Sequence, residues 1–237
     1  MNNRFKALVG TVVLLSLSAM ALAAIDGLSI KRQPKEGQAY KLKMTAELQF
    51  SGQDVVFTAL MDTKVSKVNA DGSFTEEEHQ HDVKVNVGGQ EMTPPDSPGQ
   101  EITFNADGSL KEIKGEGDSA GPGGYRMQTL ESLVEPGKPV NVGDTWTIDI
   151  KADSKTGVEA AKASYKVVAE EKVGDIETIK IQSTVKESAG SDPASIEATT
   201  WVSKADGSLV KEEAKWINAP IPGAPAPLNG TVHIVRL

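Results

Sequence analysis

Apolar and polar side chains alternate without interruption over residues 40–50. Lys, Thr, Glu and Gln fill the positions between the apolar residues, which are Tyr40, Leu42, Met44, Ala46, Leu48 and Phe50. Successive side chains on a strand point to opposite faces, so this pattern predicts a strand with one buried face, whereas a helix would scatter the apolar groups. One-sided burial is typical of antiparallel sheets, because buried parallel strands read as continuous apolar runs.

Asp-Gly turns separate further strand candidates. The residues Ala-Asp-Gly-Ser occur three times, at 70–73, 106–109 and 205–208. Glycine supplies the positive φ of a tight hairpin turn, and aspartate tolerates the neighbouring position. The alternation and the turns predict an all-β fold of about eleven antiparallel strands. We place them near residues 40–50, 54–68, 73–87, 100–105, 109–114, 144–151, 159–170, 175–186, 195–203, 208–217 and 229–236.

One segment favours a helix instead. Residues 125–134 lack glycine and proline, and their apolar residues recur at helical spacing. Pro136 and Gly137 end the segment. Residues 115–124 contain glycine at 115, 117, 121, 123 and 124, which predicts a mobile loop ahead of the helix.

An internal repeat organises the strands. Residues 37–44 align with residues 143–150, and in each copy an aromatic residue, Tyr40 or Trp146, begins an alternating strand. The later Asp-Gly hairpins of the two halves also align. We therefore predict a single β-domain over residues 24–237, made of two pseudo-repeats at about 30–115 and 140–237. A Gly-rich loop and helix over 116–139 join them, and the strands form a curved sheet, a half-barrel or a sandwich.

The first 23 residues have the pattern of a cleavable secretory signal. Arg4 and Lys6 precede an uncharged, mostly apolar run, and Ala21-Leu22-Ala23 supplies the small residues of a cleavage site. A membrane anchor is the alternative, but the run is short for a span of about 20 residues. We expect cleavage after Ala23, a periplasmic or secreted protein, and no transmembrane span in the mature chain.

Three segments resemble an uncharacterised family of secreted bacterial β-proteins. They are Pro34–Tyr40, Val65–Gly72 and Lys138–Trp146, the first leading into an alternating strand. The resemblance implies a secreted β-fold and brings no established activity. A long curved antiparallel sheet with one helix is also similar to the half-barrel of the periplasmic lipoprotein-carrier proteins, an analogy of architecture alone.

Composition excludes several kinds of chemistry. The chain has no cysteine, which removes disulfides, cysteine-based metal sites and thiol catalysis. Its formal net charge of −8 argues against a partner with a phosphate backbone, so we expect no nucleic-acid binding. No nucleophile elbow, phosphate loop, dinucleotide fingerprint or zinc-protease motif occurs. We therefore expect no enzyme activity and no cofactor.

One acidic stretch offers a metal-site hypothesis. Glu77, His79 and His81 share a face of the predicted strand, and two imidazoles with a carboxylate can bind Zn²⁺. The same face is expected to continue into the valines of residues 83–87. The alternative is a strand end that projects past the sheet and is solvated, since a run of acids usually is. No further protein ligand is evident, because the remaining histidine, His233, lies far away in sequence.

Two tryptophans are weak candidates for ligand binding. Trp201 and Trp216 are out of phase with the apolar residues around them, so either side chain is expected on the second side of the sheet, under the helix or in a groove. The sequence favours a non-enzymatic envelope protein, a binding, carrier or interaction module for an apolar small molecule or a partner protein. The alternative is a hydrolase or metal-binding protein that uses Glu77, His79 and His81.

Overall fold

The computed structural model of the chain describes residues 27–50 and 52–237. The predicted signal peptide, residues 1–23, lies outside the described residues. The described chain forms twelve strands, one α-helix and one short 3-10 helix at Gly117–Ala120. The elements are β1 (Ala39–Phe50), β2 (Gln53–Val68), β3 (Phe74–Val87), β4 (Gln90–Met92), β5 (Gln100–Phe104), β6 (Leu110–Gly115), α1 (Pro122–Glu131), β7 (Thr145–Ile150), β8 (Ala161–Val173), β9 (Ile176–Glu187), β10 (Ser195–Ser203), β11 (Leu209–Ala219) and β12 (Leu228–Arg236).

All twelve strands belong to one curved antiparallel sheet. The order across the sheet is β6-β5-β3-β2-β1-β12-β11-β10-β9-β8-β7, and the short strand β4 pairs with β3 beside this path. Within residues 27–50 and 52–237, no ladder joins the edge strands β6 and β7, so the sheet is open. The all-β prediction is confirmed, and the structure selects a single open sheet over a sandwich. Strand β4 was missed because three residues are too few to show alternation.

The chain lays its strands down in two passes. The first pass runs from β1 at the centre to β6 at one edge, and the second begins with β7 at the opposite edge and returns to β12. Strand β12 then pairs with β1, where Met44 lies opposite Ile234. Derivation of the two passes from one duplicated unit stays a prediction.

The helix begins earlier than predicted. It spans Pro122–Glu131 rather than residues 125–134. Pro122 suits the first turn, because the backbone N–H that proline lacks would have no hydrogen-bond partner within the helix at this position. Gly124 is required by close packing, since a Cβ at this position would lie 1.7 Å from the carbonyl oxygen of Ser119. Part of the predicted mobile loop over 115–124 is therefore helical.

The apolar phase of the strands forms the core on the concave face, and α1 packs across it. Met127 and Leu130 are the large apolar helix residues that are buried there. The sheet side of the core includes Leu42, Ala46, Ile181, Ile196, Val232 and Ile234. No helix among the described residues has the length and apolar character needed to cross a membrane.

Polar contacts fix the helix to both halves of the sheet. Arg126 forms a bidentate ion pair with the buried carboxylate of Glu187, with both N–O distances at 2.5 Å. The hydroxyl of Tyr125 accepts a hydrogen bond from the backbone N–H of Ile113 on β6 at 2.9 Å. Beyond the helix, the hydroxyl of Tyr165 donates to the carbonyl of Ser132 at 3.1 Å. The helix is thereby held at both ends above the sheet.

Candidate ligand-binding cavity

A cavity of about 390 Å³ lies between the concave face of the sheet and α1. Its volume falls in the lower part of the range of about 300–1,000 Å³ that is usual for small-molecule sites. Most of the wall is apolar, and it includes Leu42, Met44, Met61, Phe74, Met127 and Ile234. The cavity exists because one short helix covers only part of a wide apolar face.

A β-bulge decides which side chains of β3 face this cavity. Glu76, Glu78 and Gln80 line it, whereas Glu77 and His79 point to the other side of the sheet. The pairing register with β2 then shifts, and Asp82 adopts a φ of +52°. An extra residue in one strand reverses the phase of the side chains that follow it. The prediction that the histidines share a face with the valines of residues 83–87 was therefore wrong.

The predicted metal ligands lie on the convex face. The rings of His79 and His81 stack with their centroids 5.8 Å apart. His81 Nε2 lies 3.6 Å from an Asp62 carboxylate oxygen, while Glu77 faces Lys64 at 3.8 Å. In the described part of the chain, no three His, Asp or Glu side chains are placed to hold one metal ion. The metal-site hypothesis for Glu77, His79 and His81 stays a prediction, since the described side chains do not converge on one point.

Three carboxyl groups enter the cavity from three different elements. Glu78 comes from β3, Glu131 from α1 and Glu212 from β11. Burial raises the pKa of Glu212 to about 7, although a hydrogen bond from the hydroxyl of Thr200, at 3.0 Å, opposes the shift. Burial and the nearby carboxylate of Glu76 raise the pKa of Glu78 to about 7. Burial, and then the proximity of Glu212 and Glu78, raise the pKa of Glu131 well above its ordinary value.

An arginine occupies one end of the cavity. Arg32 forms an ion pair with the buried carboxylate of Glu76, and its guanidinium carbon lies 5.5 Å from the centroid of the Phe74 ring. The backbone N–H of Arg32 donates to the carboxylate of Glu135 at 2.8 Å. The hydroxyl of Tyr40 donates to Glu76 at 3.3 Å, and burial raises the pKa of this hydroxyl. The positive charge of Arg32 is thus matched by Glu76 and is not directed to the other three carboxyls.

Buried polar atoms without hydrogen-bond partners also border the cavity. Among the described residues, Trp216 Nε1, Thr63 Oγ1 and Arg32 Nη1 have no partner. Trp216 and Thr63 are only 5% and 2% exposed. An unsatisfied buried polar group costs about 1–3 kcal/mol. A bound molecule with polar atoms at this depth would remove that cost.

The two candidate tryptophans lie on opposite faces of the sheet. Trp216 is buried in the cavity wall on the core face, in the same phase as Ala214, so the expectation that it lies on the second side of the sheet was wrong. Trp201 lies on the convex face, where its ring is flanked by the ammonium groups of Lys180 and Lys211 at 4.7 and 4.5 Å from its centroid. Its indole N–H donates to Glu171 at 2.5 Å and holds the pKa of that carboxyl below its ordinary value. A ligand contact of Trp216 stays a prediction. The indole N–H of Trp201 already donates to Glu171, and its ring already contacts two lysines.

Sequence reasoning missed the cavity carboxyls, although a signal for them was present. Glu212 precedes Ala214 and Trp216 in the same alternating phase of β11, and Glu76 follows Phe74 in the same phase of β3. An acid in the buried phase of a strand is unusual and therefore informative. Glu131 had no comparable signal, because its position over the cavity depends on how the helix docks.

Comparison with known proteins identifies no family with an assigned activity. No protein-family model matches the chain, and no curated protein matches it significantly. The chain is similar to the solved structure of a candidate exported protein with a YmcC-like fold from Bacteroides fragilis, with 11% identity, a TM-score of 0.38, and 89% of this chain and 99% of that chain covered. It is also similar to a candidate lipoprotein from Parabacteroides distasonis, with 12% identity, a TM-score of 0.36, and coverage of 89% and 98%.

The first of these proteins is described as exported and the second as a lipoprotein, and the resemblance to an uncharacterised family is confirmed at that level. At such TM-scores neither match assigns a ligand, an activity or a location to this chain.

Proposed function

We propose that this protein is a non-enzymatic binding or carrier module of the bacterial envelope, and that the cavity under α1 holds one apolar small molecule. The observation that supports the proposal is the cavity itself, about 390 Å³ in volume and walled mainly by apolar side chains. Concave sites with a few polar groups among apolar walls are the usual form of small-molecule sites. The basic and apolar pattern of residues 1–23 supports export.

The chemistry of the wall favours binding over catalysis. Among the described lining residues, none is histidine, cysteine or lysine. A serine or threonine nucleophile needs an adjacent base, and the only lining groups of that kind are carboxyls. We interpret those carboxyls as ligand contacts. An envelope protein as partner is the second possible occupant of the cavity edge, and the experiment below separates the two.

The test combines identification of a natural ligand with occlusion of the cavity. Native mass spectrometry of protein purified from its own host is expected to show one co-purified small molecule rather than a second subunit. Calorimetry with 1-octanol then measures the site directly. Met44→Trp places a larger side chain in the wall and should abolish octanol binding, whereas Lys43→Trp adds the same bulk on the opposite, exposed face of β1.

Equal octanol binding by both variants would show that the molecule binds outside the cavity. Absence of octanol binding to the unmodified protein would remove the proposal altogether. A second subunit in place of a small molecule would favour the partner-protein form of the hypothesis.

The convex-face alternative has a separate test. The double variant His79→Ala/His81→Ala should retain octanol affinity and thermal stability, because both side chains lie on the side of the sheet away from the cavity. If this variant instead lost a stoichiometric zinc ion together with a measurable hydrolytic activity, the hydrolase or metal-binding interpretation of Glu77, His79 and His81 would replace the proposal.

A further inference from the structure

The charges inside the cavity are not balanced. Glu78, Glu131 and Glu212 line it from three elements, and Arg32, the one cation among the described wall residues, is already paired with Glu76. Glu78 accepts a hydrogen bond from the neutral amide of Gln100 at 3.2 Å, and Glu212 accepts one from the hydroxyl of Thr200 at 3.0 Å. Glu212 is buried and Glu78 and Glu131 are partly buried, so water screens these groups less than at the surface.

The carboxyl of Glu131 is influenced by the other two. Each neighbouring carboxylate makes ionisation of Glu131 less favourable, since its pKa is raised by burial and by both Glu212 and Glu78. A cation beside Glu131 would offset this repulsion and favour the ionised form of its carboxyl. A neutral apolar ligand would leave the repulsion unchanged, and an anionic ligand would add to it.

Unpartnered polar atoms provide a second, independent indication of a polar ligand. Trp216 Nε1 is a donor with no acceptor, and Thr63 Oγ1 is also without a partner. Both side chains are more than nine-tenths buried and line the cavity. Because an indole N–H can only donate, the missing group at Trp216 is an acceptor atom such as a hydroxyl oxygen.

We infer that the cavity is selective for an apolar ammonium compound, with its cationic nitrogen beside the carboxyl of Glu131, its alkyl part along the apolar wall, and an acceptor oxygen near the nitrogen that receives the Trp216 N–H. A long-chain amino alcohol has this chemistry. The inference rests on the proposed function, since it requires the cavity to hold a small molecule. It adds the charge and the polar group of that molecule.

The test compares probes that differ only in the headgroup. At pH 8, calorimetry should show octylammonium binding at least about tenfold more tightly than 1-octanol, because charge-assisted hydrogen bonds are stronger than neutral ones. Octanoate should bind more weakly than either. 2-Amino-1-octanol should bind more tightly than octylammonium, and Trp216→Phe should remove this additional gain.

Strand alternation supplies matched controls. Glu78→Gln and Glu212→Gln should each reduce the preference for octylammonium over octanol several-fold while octanol binding persists. Glu77→Gln and Glu213→Gln change the adjacent residues, which face the opposite side of the sheet, and should leave the preference intact. The same changes in charge are thereby tested inside and outside the cavity.

The preference should also depend on pH. Besides the three carboxyls, the ionisable groups that face the cavity are Arg32, paired with Glu76, the Tyr40 hydroxyl, and Glu135 at the edge. An alkylammonium stays charged between pH 5 and 8, so its affinity should rise at least about tenfold over this interval as the carboxyls ionise. Octanol affinity should stay constant.

The outcomes separate this inference from the proposed function. Equal binding of octanol and octylammonium would overturn the cation selectivity and leave the apolar cavity in place. Tightest binding of octanoate would also overturn it and would assign the headgroup to Arg32 instead. Failure of all probes to bind would remove both proposals.

Discussion

Glu212 should make the protein less stable as the pH rises from 4.5 to 8. The residue is 8% exposed, and burial raises the pKa of its carboxyl from 4.5 to about 7. Between these two values the folded state binds more protons than the unfolded state. Stability therefore falls with rising pH, in contrast to the usual case of a salt-bridged acid, whose pKa is lowered by folding. The stabilising contribution is fully present below pH 4.5 and is lost as the pH passes 7.

The size of the stability change follows from the pKa shift of Glu212. One pKa unit corresponds to about 1.36 kcal/mol, so a shift from 4.5 to about 7 represents a loss of about 3 kcal/mol for this residue above pH 7. Glu212→Gln replaces the group with a neutral side chain of nearly the same shape that can still accept from the Thr200 hydroxyl. The variant should match the unmodified protein near pH 4.5 and exceed its free energy of unfolding by about 3 kcal/mol at pH 8.

Urea denaturation at pH 4.5, 6 and 8, followed by circular dichroism, measures this difference. Glu213→Gln is the matched control, because Glu213 adjoins Glu212 on β11 but is exposed and paired with Lys211 at 2.7 Å. The control should shift stability by less than about 0.5 kcal/mol at each pH. A Glu212→Gln effect that stays constant from pH 4.5 to 8, or that destabilises at pH 8, would refute the assignment of a buried carboxyl with a raised pKa.

Three further predictions address the helix, the core and the export signal. Arg126→Gln leaves the buried carboxylate of Glu187 without its cation and should destabilise the protein by about 3 kcal/mol in urea denaturation, at the lower end for buried pairs because the Arg126 side chain is 21% exposed; an effect below about 0.5 kcal/mol would show that the pair does not hold α1. Leu42→Asp buries an unpaired charge in the core and should prevent folding as judged by circular dichroism, whereas Lys43→Asp on the exposed face should fold. N-terminal sequencing of the exported protein should begin at Ala24, and an intact signal segment on the mature product would contradict the predicted cleavage.

Local alternation was sufficient to predict the sheet and insufficient to predict its faces along every strand. The pattern around Leu42 and Met44 specifies one strand and its buried side, and β1 has that orientation throughout. Strand β3 contains a bulge at Asp82, so the buried phase changes within the strand. Aspartate tolerates positive φ, but it does so in many turns as well, and nothing else in the sequence distinguishes a bulge at this point.

The candidate site was only partly predictable for a related reason. Glu212 and Trp216 share the buried phase of β11 with Ala214, although the adjacent Ile217 led to the opposite expectation for Trp216. Glu131 belongs to the helix, whose sequence shows which residues are buried but not which strands they contact. Convergence of carboxyls from β3, β11 and α1 depends on pairings between residues far apart in sequence, and alternation contains no information about those pairings.

The cavity is a direct consequence of the strand order. The edge strands β6 and β7 are consecutive in sequence, yet nine strands lie between them on the main path of the sheet. At about 4.8 Å for each pair of neighbours, the connection must travel about 48 Å along a flat sheet, or less across a curved one. A connection of this length must cross a face, and the apolar concave face gains most from being covered. Residues 116–144 make this crossing, with α1 in their middle and Val140 paired to Leu28 of the N-terminal segment beyond it. Two irregular segments and one short helix cannot fill the space above a sheet of this width, so the unfilled part becomes an apolar cavity whose wall includes residues from both passes of the chain.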